Sequence, residues 1–233
     1  MKKLIPGLVA AALFSLTPLL LAGPATAVEA APANVTMEAY QQLVGKSVLS
    51  KLNTMDMVEI KRTAPQLEEI SDWNRRVAYY LGSKDYALST MWTPQRIQLI
   101  TPYSLTKYLY YLADKELVAP DKALLQEIAQ LKDVAWIWVW SNGNYNILNN
   151  NPAPTIENVV IRSKDNDYYY HLNREQYLPL KALAVAKVNT AQLWPFPAKL
   201  FSQGQIPFEI VLLDSVGNTK PLKLREDDLA KCK

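Results

Sequence analysis

A single histidine, His171, and a single cysteine, Cys232, leave this chain without the material for several common chemistries. One of each is too few for a structural zinc site, and a centre with two histidines is excluded. A Ser-His-Asp or Cys-His site would have to be built on His171, and no Gly-x-Ser-x-Gly elbow is present to meet it. No intrachain disulfide can form. Cys232 could bridge two chains into a dimer, although a thiol beside the terminus also reads as one without a role. Glycine is scarce as well. Of the seven, Gly7 and Gly23 fall within the first 27 residues, so a glycine-rich phosphate cradle has no room. No cofactor and no metal are expected.

Charge of one sign is also missing. Lys2 and Lys3 are two of 25 basic side chains set against 22 acidic ones, so the chain beyond residue 27 is nearly balanced. Nucleic acid is therefore not an expected partner, because its binders depend on neutralising phosphates.

What is present begins at the N-terminus. Lys2-Lys3, the apolar run Leu8–Ala22 and the small residues of Ala25-Thr26-Ala27 read as a bacterial-type secretory signal cut after Ala27. The apolar run is about 15 residues, short of the ~20 of a permanent span. The expected product is periplasmic or secreted, with no permanent membrane span after cleavage. Residues 1–27 are then the signal peptide, 28–133 a mainly helical region and 134–233 a β-rich region that shares a core with it. The expected fold class is α+β, a mainly helical N-terminal half packed on an antiparallel, hairpin-rich C-terminal half.

Four helices are expected in the first half. One runs from Thr36 to about Asn53, with Tyr40, Val44, Val48 and Leu52 on one stripe. A second opens at Pro65, buries Leu67, Ile70, Val77 and Leu81, with Asn74 in the same seam, and stops at Gly82. A third opens at Thr101-Pro102 and a fourth at Pro120. Between the second and third, Ala87–Trp92 and Arg96–Thr101 suggest a hairpin around Thr93-Pro94-Gln95, although a short helix from Pro94 fits nearly as well. In the second half, hairpins are expected at Val134–Ser141/Asn144–Asn149, Ile156–Ser163/Tyr168–Leu172 and Phe208–Asp214/Thr219–Leu224. Lys181–Val188 reads equally as helix or strand.

The first of these hairpins carries the most distinctive constellation. Asn142-Gly143 is a strong two-residue turn signal, and counting outward places Trp140 opposite Tyr145, Trp138 opposite Ile147 and Trp136 opposite Asn149. Three tryptophans then line one face of one strand. Apolar residues on both faces near Ile137 favour a covered central strand, with the stripe as core. The alternative leaves the stripe open to sugar rings, a peptide or a protein partner, with Trp136, Trp138, Trp140 and Tyr145 as the binding residues.

Catalytic patterns are weaker. Ser104-Leu105-Thr106-Lys107 has the Ser-x-x-Lys spacing that lets a lysine activate an acyl-transfer serine, but it also reads as an ordinary helix start. Asp165 and Asp167 read as a solvated turn rather than a calcium loop. Glu68, Glu69, Glu116, Glu127 and Glu175 could supply a glycosidase pair, which spacing alone cannot select. No residue is assigned a catalytic role. The expected function is an exported, non-catalytic binding or assembly protein. The alternatives are a hydrolase acting on cell-wall or polysaccharide material and a self-assembling structural component.

Overall fold

Asp56 starts the first described helix because its carboxylate accepts from the backbone N–H of Val58 and Glu59 at 3.0 and 3.1 Å. This is α1, Met57–Thr63, which runs directly into a 3-10 turn, Ala64–Glu69. The computed structural model describes residues 36–38, 55–88, 91–141, 156–163, 167–201, 209–214, 219–230 and 232, all within one compact unit spanning 31–233. The helix expected beyond Thr36 and the second arm of the Asn142-Gly143 hairpin lie outside these residues, apart from Met37 and Glu38, which are helical.

The single helix expected over 65–81 is not formed. Ile70 is extended and Asp72 starts a new helix by accepting from the Asn74 N–H at 3.0 Å, giving the short α2, Trp73–Val77. Ala78 is extended, and the chain continues as strand β1, Tyr79–Leu88. The cause is local. A second capping aspartate interrupts the helical run, and the Tyr79-Tyr80 pair favours the pleated conformation. Leu67, Val77 and Leu81 are buried as expected, but from three different elements.

β1 pairs with β2, Met91–Ile100, and the expected arm Ala87–Trp92 is divided between the two strands with Ala87 paired to Trp92, so the hairpin expected around Thr93-Pro94-Gln95 is not formed. Pro94 sits inside β2 opposite Asp85 rather than at the turn. Among the described residues, pairing of β2 with β3, Val134–Ser141, starts at Gln95, so no described partner on that side calls on the donor that Pro94 lacks. The other side of β3 pairs with β6, Leu193–Pro197, so the first sheet runs β1-β2-β3-β6. This corrects the expected register of the tryptophans. Trp136 and Trp138 lie between Ile100 and Gln98 on β2 and Pro195 and Leu193 on β6, so both of their pairing sides are taken, and Ile147 and Asn149 lie outside the described residues. Every residue of β6 is buried, and that apolar burial favours β6 as a neighbour of β3, while Asn142-Gly143 lies outside the described residues.

The second sheet consists of β4 (Ile156–Arg162), β5 (Tyr168–Tyr170), β7 (Glu209–Asp214) and β8 (Thr219–Lys223), in the order β5-β4-β7-β8. Its two hairpins follow the sequence expectation. Val159, Ile161, Ile210 and Leu212 enter the same core cluster as Ile97, Leu99, Ile137 and Trp194 of the first sheet. The sheets come close at Gly82, where an added Cβ would stand 2.9 Å from Leu222 Cδ1. The opposite face of the first sheet receives α2.

The helices outside the sheets are α3 (Pro102–Lys115), α4 (Lys122–Gln130), α5 (Leu180–Val185) and α6 (Glu226–Ala230). Thr101 and Ser104 form a reciprocal capping box at the start of α3, as the Thr-Pro signal implies. Glu127 of α4 accepts from the N–H groups of Lys181 and Ala182, so the start of α5 is capped from another helix. An α+β architecture with two antiparallel sheets results.

Candidate functional site

Paired residues on neighbouring antiparallel strands share a face, so the registers define rows across the first sheet. One row is Tyr80, Gln98, Trp138 and Leu193, and the next is Ser83, Arg96 and Trp140. The strand alternation expected of Trp136, Trp138 and Trp140 is therefore present, but the three differ in depth. Trp136 and Trp138 have relative exposures of 0% and 1%, so they are core and offer no open surface. The Trp136 Nε1–H donates to the Tyr177 carbonyl at 2.7 Å. Trp140 is half-buried. Tyr145 lies outside the described residues.

The ladder reaches solvent at one end, through side chains that the sequence did not single out. Trp73 of α2 packs on Trp138 with ring centroids 5.7 Å apart and planes tilted by 53°, and it remains 36% exposed. Asp72, one residue earlier, does two jobs: it caps α2 and pairs with Arg96 at 3.6 Å and Arg75 at 3.9 Å. Arg96 in turn lies over the Trp140 ring, 5.1 Å from its centroid. Tyr80, 47% exposed, takes the β1 edge of the Trp138 row. The result is a ledge of two exposed aromatic rings beside a guanidinium whose position is fixed from both sides. Such a surface can stack on an apolar ring face while donating hydrogen bonds at its margin.

No relative supplies a role for it. The chain matches no protein-family model, no curated protein and no solved structure.

Beneath the ledge, the Trp138 Nε1–H and Gln98 Oε1, on directly opposed residues, are both buried and have no partner among the described residues. The signals that could have found the ledge were modest. Asp72-Trp73 has the form of a cap followed by a first-turn aromatic, and Arg96 alternates with Gln98 on β2.

The other sequence candidates have structural positions. The Ser104 hydroxyl accepts from Thr101 N–H at 3.0 Å and donates to the Thr101 carbonyl, which commits it to the capping box. Lys107 lies near the Tyr103 ring at 5.8 Å, and burial lowers its pKa. Glu68 accepts from the Tyr111 hydroxyl at 2.8 Å and pairs with Lys115; the Lys115 and Tyr111 hydrogen bonds hold its carboxyl below the usual range. Arg76 donates to the same Tyr111 hydroxyl at 2.7 Å, which ties α2 to α3. His171 Nδ1 lies 2.8 Å from the Leu172 carbonyl oxygen. Cys232 is 5% exposed and its thiol donates to the Asp228 carbonyl, a contact that an interchain disulfide would have to open. Among the described residues no three His, Cys, Asp or Glu side chains cluster as a metal would require. No helix among them is long and apolar enough to cross a membrane.

Proposed function

We propose that this chain is an exported, non-catalytic binding protein that takes its ligand on the Trp73–Tyr80–Arg96–Trp140 ledge. The observation that carries the reading is Trp73, an indole held on the buried Trp138 yet one-third open to solvent, beside an arginine anchored by Asp72. Its ligand offers an apolar ring face and hydrogen-bond acceptors, as sugar rings or aromatic peptide side chains do. The non-catalytic part is supported by Ser104, whose hydroxyl is occupied in a helix cap, leaving Lys107 no free nucleophile at that position. Export rests on Lys2-Lys3, Leu8–Ala22 and Ala25-Thr26-Ala27, and places the protein in the periplasm or outside the cell.

Calorimetric titration of oligosaccharides, peptidoglycan fragments and aromatic peptides tests the site. Trp73→Ala and Tyr80→Ala are each expected to weaken the bound ligand about tenfold or more while costing only about 1 kcal/mol of stability, since both rings are partly exposed. Unchanged affinity in both variants would remove the ledge from consideration.

A further inference from the structure

A second group of buried polar side chains lies at the seam between the two sheets. Leaving β5, the chain crosses from the second sheet to the first, and the Leu172 N–H donates to the Pro195 carbonyl of β6 at 2.8 Å. Arg174 follows two residues later. Its Nη2 donates to the Thr190 carbonyl, and its guanidinium carbon lies 5.6 Å from the centroid of the Trp194 ring. Trp194 occupies the row of Tyr79, Leu99 and Ile137, on the face turned towards the second sheet and away from the ledge.

Among the described residues, the seam holds two buried donors and no acceptor for either. The Arg174 Nε–H is buried without an acceptor, and so is the Trp194 Nε1–H on a side chain 1% exposed. Among the described residues no carboxylate pairs with Arg174, while Arg162 of the same sheet region has Glu209. A guanidinium with a buried, unpaired N–H beside an unpaired indole N–H is costly, because each group has lost water without gaining a partner. An oxyanion that accepts from both would recover that loss and neutralise the charge.

We propose that Arg174 and Trp194 form a binding site for a singly charged carboxylate. The guanidinium matches a planar carboxylate in shape, and its one positive charge balances one negative charge. A doubly charged phosphate would remain half neutralised in a partly desolvated seam. Burial, with the Arg174 charge adding to it, keeps His171 below its usual pKa, so near neutrality the arginine is the cation that an anion meets.

Titration with sodium acetate, followed through the indole N–H resonances in nitrogen–proton correlation spectra, tests the assignment. The Trp194 signal is identified by its loss in Trp194→Phe or, should that variant not fold, by sequential assignment of the wild type. The expected result is a saturable shift of this signal with acetate, with a dissociation constant on the order of 1 mM, and no such shift with sodium chloride at equal ionic strength. Arg174→Lys, which keeps the charge but loses the planar fork, is expected to weaken the effect about tenfold or more. No saturable shift, an equal shift with chloride, a response to inorganic phosphate alone, or an unchanged affinity in Arg174→Lys would each overturn the proposal.

Discussion

Trp138→Ala is expected to destabilise the protein by about 3–5 kcal/mol in urea unfolding, the range for emptying a buried aromatic position. Trp138 is 1% exposed, lies between β2 and β6 and carries Trp73 on its outer side, so its loss opens a cavity that flanking strands cannot readily close. A subtler pair of variants separates packing from hydrogen bonding. Trp138→Phe removes an N–H that has no acceptor among the described residues, so part of the lost packing is offset and the cost should be about 1 kcal/mol. Trp136→Phe removes the donor to the partly buried Tyr177 carbonyl and should cost about 1 kcal/mol more than Trp138→Phe. Equal costs for the two phenylalanine variants would contradict the hydrogen-bond assignments.

Gly82→Val should be comparably damaging, at about 3 kcal/mol. Gly82 has φ +154°, a conformation that side-chain-bearing residues rarely adopt, and an added Cβ would meet Leu222 Cδ1 at 2.9 Å. Backbone strain and overpacking each cost about 1–3 kcal/mol, and the Leu222 side chain can yield part of the second. Gly82→Ala in a Leu222→Ala background should therefore cost less than Gly82→Ala in the wild type, by the clash component alone. If Gly82→Val unfolds at the wild-type denaturant midpoint, the close approach of β1 and β8 is wrong.

Both results depend on contacts that are unequally legible in the sequence. The β4–β5 and β7–β8 hairpins and the start of α3 rest on local signals, namely alternation, turn residues and a Thr-Pro cap, and they fall where those signals place them. β6 was hidden by its own prolines. Leu-Trp-Pro-Phe-Pro reads as a poor strand, yet the Pro195 carbonyl faces the Leu172 N–H on the outer edge. In an antiparallel strand the N–H and C=O of one residue point to the same side, so the donor that Pro195 lacks is not needed for pairing with β3. In the sequence Gly82 reads as a helix stop, because glycine has that role more often than it marks a close approach of two sheets. For the ledge, Trp140 was within reach because alternation along β3 is local. Asp72, Trp73 and Arg96 were not, since they join Trp138 and Trp140 only through the pairing of strands distant in sequence.

Residue-resolved oxidative footprinting of the tryptophans in the native protein tests most directly whether the ladder is interior and opens only at one end. Trp73 should be oxidised first and Trp140 more slowly. Trp136, Trp138 and Trp194 should stay protected until the protein unfolds. Native oxidation of Trp138 as fast as that of Trp73 would contradict the account.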